Sequence, residues 1–215
     1  MFVDPFASLF SITQSLADAY NDISKEEAQF YLKRVFKSAE LLHELLDNLL
    51  QWANSQTGRV DYTPFKFKLS EVAGKTIQLL NIYAERKNIS LVSNISDDVD
   101  VLGDKNMITT VIRNLVNNSI KFTPEEGNIR LEAKKLEKYV VVEVHDTGIG
   151  ISEKDQNKLF RIDVKTKSIG PEDKPKGTGI GLILCKEFVE RNGGQIWVES
   201  EPGKGSCFKF TLKTS

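Results

Sequence analysis

The stretch RNLVNNSIKFTP, residues Arg113 to Pro124, decides the fold because its polar positions recur with the period of a helix. Asn114, Asn118 and Lys121 stand at i, i+4 and i+7, so they lie on one helix face. The apolar residues point elsewhere, toward a core: Ile112, Leu115 and Val116. Amide oxygens suit Mg²⁺ that carries nucleotide phosphates, and a lysine adds positive charge. Solvated helix polarity would also explain the asparagines.

A second stretch, HDTGIGIS at residues 145–152, places a carboxylate where a predicted strand ends. Asp146 can accept a hydrogen bond from an exocyclic amine, while Gly148 and Gly150 let a flat ring approach closely. Taken alone, a plain Asp-Thr-Gly turn between two elements explains this stretch at least as well.

Two further glycine stretches follow toward the C-terminus. In KGTGIGLILCKEFV, residues 176–189, Gly177, Gly179 and Gly181 run into an apolar-faced helix, and N–H groups at its start could cradle phosphate oxygens. The spacing matches neither a Walker loop nor the dinucleotide fingerprint. In EPGKGSCFKFTL, residues 201–212, a hairpin turn is the better interpretation of each glycine taken singly.

Together with NKLF at residues 157–160, these stretches resemble, in this order, the N, G1, F, G2 and G3 boxes of bacterial sensor histidine kinases. The wider superfamily includes the gyrase, mismatch-repair and heat-shock-chaperone ATPases. LLHELLDNLLQWANSQTGRV, residues 41–60, is similar to the second helix of the kinase dimerisation hairpin. The resemblance therefore covers essentially the whole chain.

The resemblance implies that ATP and Mg²⁺ bind between these boxes. Asn118 would hold Mg²⁺, and Asp146 would bind the adenine amine. The other residues implied to bind the cofactor are Asn114, Lys121, Phe122, Gly148, Gly150, Ile151, Phe160, Lys167, Gly177, Thr178, Gly179, Ile180, Gly181 and Leu182. Residues 161–176 would form a mobile lid that brings four lysines near the phosphates: Lys165, Lys167, Lys174 and Lys176.

The residue at position 114 bears on the reaction. Hydrolysing members of the superfamily carry a glutamate one helical turn before the Mg²⁺ asparagine, and this chain has Asn114 there. An amide cannot act as a general base, so transfer of the γ-phosphoryl group to a protein nucleophile is favoured over hydrolysis. In the family, a hairpin histidine and then a response-regulator aspartate receive the group. A dimeric scaffold or regulator that binds nucleotide without phosphotransfer is the alternative.

Neither histidine of the chain matches the acceptor motif of the family. His43 is followed by an acidic residue, but Asn48 stands where the motif has proline, and the predicted helix is the second one. His145 precedes Asp146 at a strand end, where a surface or pocket-adjacent role is the better interpretation. We therefore predict no catalytic residue within this chain.

The opening of the chain, MFVDPFASLF, bears on the missing acceptor. Pro5 and Phe6 resemble the pair that closes the acceptor motif, which places the histidine immediately before Met1. Three explanations compete: a fragment cut at the acceptor, a natural protein that has lost the motif, and a deliberate alteration. We favour a fragment, because uncapped apolar helices rarely begin at a natural first residue.

The predicted fold class is α+β in two domains, residues 1–58 and 62–215. The first is an antiparallel helical hairpin, truncated at its N-terminus, whose longer helix starts with a capping box at Ser24 and Glu27. Its apolar surface exceeds what one hairpin can cover, so we predict a homodimeric four-helix bundle. The second mixes helices, among them residues 104–121 and about 153–159, with partly antiparallel strands, among them residues 89–95 and 139–146. This mixture favours a two-layer α/β sandwich with a mixed sheet.

Composition excludes several classes of protein. The 215 residues are 40% hydrophobic and 27% charged, which is typical of a globular protein. A net charge of -1 gives no field for nucleic acid, and no apolar stretch approaches the roughly 20 residues that span a bilayer. Cys185 and Cys207 do not suggest a metal or redox pair. We expect a cytoplasmic location, and the parent protein could still be membrane-bound.

Overall fold

The structure is a computed structural model that describes residues 5–18, 23–56, 61–161 and 180–215. The chain divides into two compact units, Met1–Arg59 and Val60–Ser215. Within the described ranges, no helix combines the length and the apolar character that crossing a membrane requires.

The first unit contains two helices in contact, α1 (Pro5–Asp18) and α2 (Lys25–Gln56). The predicted capping box begins α2, because the Glu27 N–H donates to Ser24 Oγ at 3.1 Å and the Ser24 N–H donates to Glu27 Oε2 at 2.9 Å. Large apolar side chains remain exposed along both helices: Phe6, Phe10, Phe30, Phe36 and Leu50. The helical pair is as expected, and its dimerisation remains a prediction.

The second unit alternates strands with helices. Its strands are β1 (Phe65–Lys68), β2 (Ser90–Ser93), β3 (Asp100–Gly103), β4 (Asn128–Lys135), β5 (Tyr139–Asp146), β6 (Ile196–Glu201) and β7 (Gly205–Thr214). Its helices are α3 (Leu69–Glu85), α4 (Lys105–Phe122), α5 (Glu153–Gln156) and α6 (Ile180–Arg191). The strands form one sheet in the order β1-β3-β7-β5-β4-β2, and β6 also pairs with β7. Since β2 and β4 are parallel and the other pairs antiparallel, the predicted α+β class with a mixed sheet is confirmed.

Two predicted elements are shorter in the structure. The strand predicted over residues 89–95 spans only Ser90–Ser93, because the Ile89 N–H still bonds to Ala84 O at the end of α3. The helix predicted over residues 153–159 ends at Gln156. Beyond it the chain turns more tightly, with the Leu159 N–H donating to Gln156 O at 3.3 Å.

Alternation along the strands gives the sheet an inner and an outer face. The inner face of β5 is buried and consists of Val140, Val142, Val144 and Asp146. Helices α4 and α6 contact the sheet and bury apolar side chains that are 0% exposed, among them Leu115 and Leu184. The outer face of β5 carries the intervening residues Val141, Glu143 and His145.

Asp104 fixes the start of α4 as its N-cap. Its Oδ1 accepts hydrogen bonds from the N–H groups of Asn106 at 3.0 Å and Met107 at 3.1 Å. The Asp104 N–H donates to Asn192 Oδ1 at 2.7 Å, and the Asn192 amide donates to Phe188 O at 2.7 Å. Asn192 thereby connects the start of α4 to the end of α6.

Candidate functional site

Asp146 ends β5 on the inner face and is 9% exposed. Its Oδ1 accepts hydrogen bonds from the N–H groups of Gly148 at 2.9 Å and Ser206 at 3.2 Å, and its Oδ2 accepts one from Ser119 Oγ at 3.2 Å. Burial raises the pKa of this carboxyl, and the three hydrogen bonds offset part of that rise. Because each carboxylate oxygen has two acceptor sites, Oδ2 keeps one for a ligand donor.

Two glycines allow the backbone to pass close to Asp146. A Cβ at Gly148 would lie 2.7 Å from Asp146 Oδ1 and 2.9 Å from Phe122 O. Gly205 has a φ of +97°, and a Cβ there would overlap the carbonyl oxygen of Asp146. Gly205 is therefore part of the frame that positions the carboxylate, in addition to being a turn residue.

Helix α4, which contacts this carboxylate through Ser119, also carries the predicted polar face. Asn114, Asn118, Lys121 and Phe122 are half-buried there, and the Lys121 ammonium lies 5.5 Å from the centroid of the Phe122 ring. The apolar side of the same helix is buried as predicted, with Ile112, Leu115 and Val116 all 0% exposed. The period of the helix therefore separates the polar site from the core as the spacing predicts.

The side-chain amide of Asn114 includes a donor atom that makes no hydrogen bond among the described residues. Its Nδ2 is buried and has no hydrogen-bond partner among the described residues by distance and angle, although the weakly accepting Cys185 thiol is near. The Cβ position of Gly181, at the start of α6, is 3.7 Å from Asn114 Cγ. A buried amide donor that lacks an oxygen acceptor is what a site for an anionic ligand would supply.

The loop after Asp146 is fastened to β6. The Ile151 N–H donates to Ser200 Oγ at 2.8 Å. The Gln156 amide donates to the carbonyl oxygens of Ile151 and Ser200, at 2.8 Å in each case. These bonds fix the path of the backbone that leaves the carboxylate.

The structure brings together predicted residues from three segments, the end of α4, the loop after β5 and the start of α6. Contacts join Gly148 to Asp146 and Phe122, and Gly181 to Asn114. The other predicted residues that the structure describes on these segments, Asn118, Lys121, Gly150, Ile151, Ile180 and Leu182, remain predicted members of the site. Gly150 lies against the backbone of Glu201, and Phe160 is half-buried beyond α5. Four predicted residues, Lys167, Gly177, Thr178 and Gly179, lie outside the described residues, as does most of the predicted lid.

Sequence reasoning missed two residues that hold Asp146 in place. Ser119 is 1% exposed and lies on the buried side of α4, so the available signal was a hydroxyl in an otherwise apolar stripe. Ser206 contributes its backbone N–H, and any residue except proline could do the same. No sequence signal marks the second residue, because its role depends on the register between β5 and β7.

The structure describes both histidines, one in each unit. The His43 side chain is 79% exposed on α2, with Nδ1 3.6 Å from Asp47 Oδ2. His145 is on the outer face of β5, opposite to Asp146, and its Nε2 is 3.0 Å from Glu143 Oε2. Among the described residues of the second unit, the inner face of the sheet therefore carries no histidine.

Residues 103–215 match the family described as histidine kinase-, DNA gyrase B- and HSP90-like ATPases. The adaptive-response sensory kinase SasA of Thermosynechococcus vestitus is 34% identical over 189 residues, which are 87% of this chain and 49% of SasA. The signal transduction histidine-protein kinase BarA of Escherichia coli K12 is 32% identical over 189 residues, which are 85% of this chain and 20% of BarA. The chain thus spans about half or less of these curated relatives.

Solved structures give a similar result. The nucleotide-free catalytic domain of histidine kinase ThkA superimposes with a TM-score of 0.62 at 28% identity and covers 71% of this chain and 98% of that domain. The histidine kinase ThkA in complex with the response regulator protein TrrA superimposes with a TM-score of 0.76 and covers 99% of this chain and 58% of that one. At 22% identity, the second comparison concerns the fold alone.

Proposed function

This chain belongs to the histidine kinase-, DNA gyrase B- and HSP90-like ATPase family, and on that premise we propose that it is the ATP-binding kinase core of a two-component sensor histidine kinase. One observation carries the proposal. A buried carboxylate that keeps an acceptor site, Asp146, is hydrogen-bonded to α4 through Ser119, and the same helix carries the Asn114 amide, whose Nδ2 has no hydrogen-bond partner among the described residues. An acceptor for a base amine and a donor for phosphate oxygens are the two ends of a nucleotide site.

The adenine end of the proposed site is at Asp146. Its Oδ2 would accept a hydrogen bond from the exocyclic amine of adenine. The N–H groups of Gly148 and Ser206 hold Oδ1 in place. The absence of a side chain at Gly148 lets the backbone pass close to the carboxylate and to Phe122 O. A ring without an amine at that position would leave the acceptor unpaired, which favours adenine over guanine.

The phosphate end of the proposed site is on α4 and at the start of α6. The residues fit Mg²⁺ and phosphate, since the half-buried Asn118 offers a neutral oxygen ligand and the Asn114 amide offers an unused donor. Lys121, on the same face, adds positive charge. When bound, Mg-ATP supplies the γ-phosphoryl group, and Asn118 would hold the metal.

Asn114 also determines which acceptor the proposed site favours. An amide cannot remove a proton from water, so the chain has no general base at this position for hydrolysis. We therefore propose transfer to a histidine of the hairpin in the parent protein: the bond between the γ-phosphorus and the ADP oxygen breaks, and a phosphorus–nitrogen bond forms. An aspartate of a response regulator would receive the group next, as the pairing of ThkA with TrrA suggests.

The helical pair supports a proposed homodimer. Phe10 and Phe36 are 71% and 64% exposed, and a single copy leaves these rings in water. A second copy could bury them in a four-helix bundle. Sedimentation over a range of concentrations tests this, and a monomer at every concentration would contradict it.

Paired asparagine variants test the nucleotide site. Asn118→Ala should weaken Mg-ATP binding by at least about tenfold, because a metal ligand is lost. Asn117→Ala is the matched control, since that neighbouring amide is exposed and outside the proposed ligand set. Calorimetric titration with Mg-ATP gives both affinities. Equal affinities of the two variants, or no binding to the unmodified chain, would contradict the site.

A transfer assay tests the kinase activity separately. The chain is mixed with a full-length histidine kinase that cannot bind ATP but retains its hairpin histidine, and labelled ATP is added. We expect acid-labile phosphate on the partner. Tight ATP binding with no transfer would contradict the kinase proposal and favour a nucleotide-binding scaffold.

A further inference from the structure

The outer face of the sheet carries a second cluster of reactive side chains, which we call the outer-face triad: Glu143, His145 and Cys207. The register pairs His145 on β5 with Cys207 on β7. Glu143 is two residues before His145, so alternation places it on the same face. His145 and Cys207 are 62 positions apart in the chain.

The donor atoms of the triad converge on the His145 ring. Its Nε2 is 3.0 Å from Glu143 Oε2 and 3.6 Å from Cys207 Sγ, and one donor atom from each residue lies within 4.8 Å of the others. In tetrahedral zinc sites, Zn–N of about 2.0–2.1 Å and Zn–S of about 2.3 Å separate nitrogen from sulfur by about 3.6 Å. The distance from His145 Nε2 to Cys207 Sγ therefore matches that between zinc ligands, and the distance from His145 Nε2 to Glu143 Oε2 is within a few tenths of an ångström of such a spacing.

A fourth donor is available on the neighbouring strand. Glu132 Oε2 on β4 is 3.7 Å from His145 Nε2. Its other oxygen, Oε1, is held at 2.7 Å by Arg130 Nε. This ion pair orients the carboxylate so that Oε2 faces the triad, which would complete a four-ligand set.

Two lysines form ion pairs with the Glu143 carboxylate. Lys134 Nζ is 2.9 Å and Lys209 Nζ 3.8 Å from oxygens of Glu143. Burial alone would raise the pKa of Glu143, but hydrogen bonds from Lys134 and His145 bring it below its ordinary value. The Lys134 side chain is 62% exposed, so it can move into solvent and release the carboxylate.

We propose that the outer-face triad, with Glu132, binds a divalent zinc-like ion. A mixed sulfur, nitrogen and carboxylate set favours zinc over magnesium or calcium, which prefer oxygen alone. On binding, the Cys207 sulfur–hydrogen bond breaks, the metal–sulfur bond forms and the proton leaves to solvent. The competing charge of Lys134 and the buried thiol, whose pKa burial raises to about 12, both limit the affinity.

The proposed metal site lies directly behind the nucleotide site. Asp146 and Ser206 are paired in the β5–β7 register next to His145 and Cys207, and the Ser206 N–H donates to Asp146 Oδ1. A metal bridging β5 and β7 at this level would hold together the same two strands that position the carboxylate. The site differs from the proposed Mg²⁺ position at Asn118 in both its face and its ligands.

Titration of the nucleotide-free chain with Zn²⁺ and Co²⁺ under reducing conditions tests the proposal. We expect one Zn²⁺ per chain and, with Co²⁺, the near-ultraviolet absorption of a cobalt–thiolate bond. Cys207→Ser should abolish that absorption and weaken Zn²⁺ by at least about tenfold. Cys185→Ala removes the other thiol, which is buried elsewhere, and should keep both signals. No saturable binding to the unmodified chain, or equal signals from the two variants, would overturn the proposal.

A substitution of Lys134 should strengthen Zn²⁺ binding, in contrast to Cys207→Ser. Lys134→Gln removes the ammonium that competes for Glu143 and should tighten Zn²⁺ binding by several-fold. Far-ultraviolet circular dichroism of each variant establishes that it is folded before titration. Weaker Zn²⁺ binding to folded Lys134→Gln would contradict the proposed competition and overturn the assignment of Glu143 as a ligand.

Discussion

Asp146 and His145 are neighbours in the chain, yet they lie in different environments. Asp146 is on the inner face, where its hydrogen-bond donors are two backbone N–H groups and a serine hydroxyl. His145 faces the opposite side, among carboxylates and a thiol. The difference shows that a strand with a period of two can present a buried ligand acceptor on one face and a charged cluster on the other.

The inner face should contribute much more to stability than the outer face. Phe210 on β7 is 0% exposed, and Phe210→Ala should lower the free energy of unfolding by about 3–5 kcal/mol through lost burial and a new cavity. Lys213→Ala, on the outer face of the same strand, should change it by less than about 0.5 kcal/mol. Urea denaturation measures both. A loss below about 1 kcal/mol for Phe210→Ala would contradict the inner-face core.

Asp146→Asn should separate binding from stability. Asn Oδ1 can accept from Gly148 and Ser206, and its Nδ2 can donate to Ser119, so the frame is retained but the ligand acceptor is lost. A charge-assisted hydrogen bond is worth about 1.5–3 kcal/mol, so ATP should bind about tenfold to more than a hundredfold more weakly.

Calorimetry with ATP measures this effect, and Asp97→Asn, an exposed aspartate in a turn, is the control. At neutral pH we expect Asp146→Asn to be at least as stable as the unmodified chain, because burial disfavours the ionised carboxylate. Unchanged ATP affinity would contradict the assignment of Asp146 to adenine.

Val141 and Val142 are adjacent on β5 but face opposite sides of the sheet, so the same substitution at each compares the stability of the two faces. Val142, 0% exposed, is on the inner face, and Val142→Ala should cost about 2 kcal/mol of unfolding free energy. Val141 is half-buried on the outer face, and Val141→Ala should cost less than about 1 kcal/mol. If thermal or urea unfolding gives equal losses, the two faces do not differ as we describe.

The pH dependence should be the smallest effect. The pKa of Asp146 is raised by burial, so protonation begins at a higher pH than for an ordinary aspartate. ATP affinity should fall as the pH is lowered through that raised pKa, because the protonated form loses its charge. The contribution of Asp146 to the free energy of unfolding should instead be larger at low pH, because the folded state binds this proton more tightly than the unfolded state. That contribution is lost as the pH rises through the folded pKa. Asp146→Asn should remove both trends.

The sequence predicted the elements that have local signals at both ends. Strand β5 spans Tyr139–Asp146 as predicted, and α4 differs from its predicted range by one residue at each end. Asp104 supplies a side-chain cap, and Pro124 cannot continue a helix. The asparagine spacing on α4 likewise predicted which side chains share a face.

Features that depend on strand pairing could not be predicted in the same way. The order of the strands places Ser206 beside Asp146 and Cys207 beside His145, but neither pairing has a local signal in the sequence. The interpretation that Cys207 has no metal-like setting was based on its neighbours in sequence, and the register supplies different ones. The residues that hold the carboxylate were missed for the same reason.

The two ends of the sheet have a consequence for how the protein behaves in concentrated solution. The terminal strands of the sheet order, β1 and β2, have four residues each, and β1 carries Lys66 and Lys68. Short edges offer little unpaired backbone to another chain, and the lysines of β1 add repulsion there, so edge-to-edge pairing through these two strands is disfavoured. Fibril formation through β1 or β2 should therefore be rare.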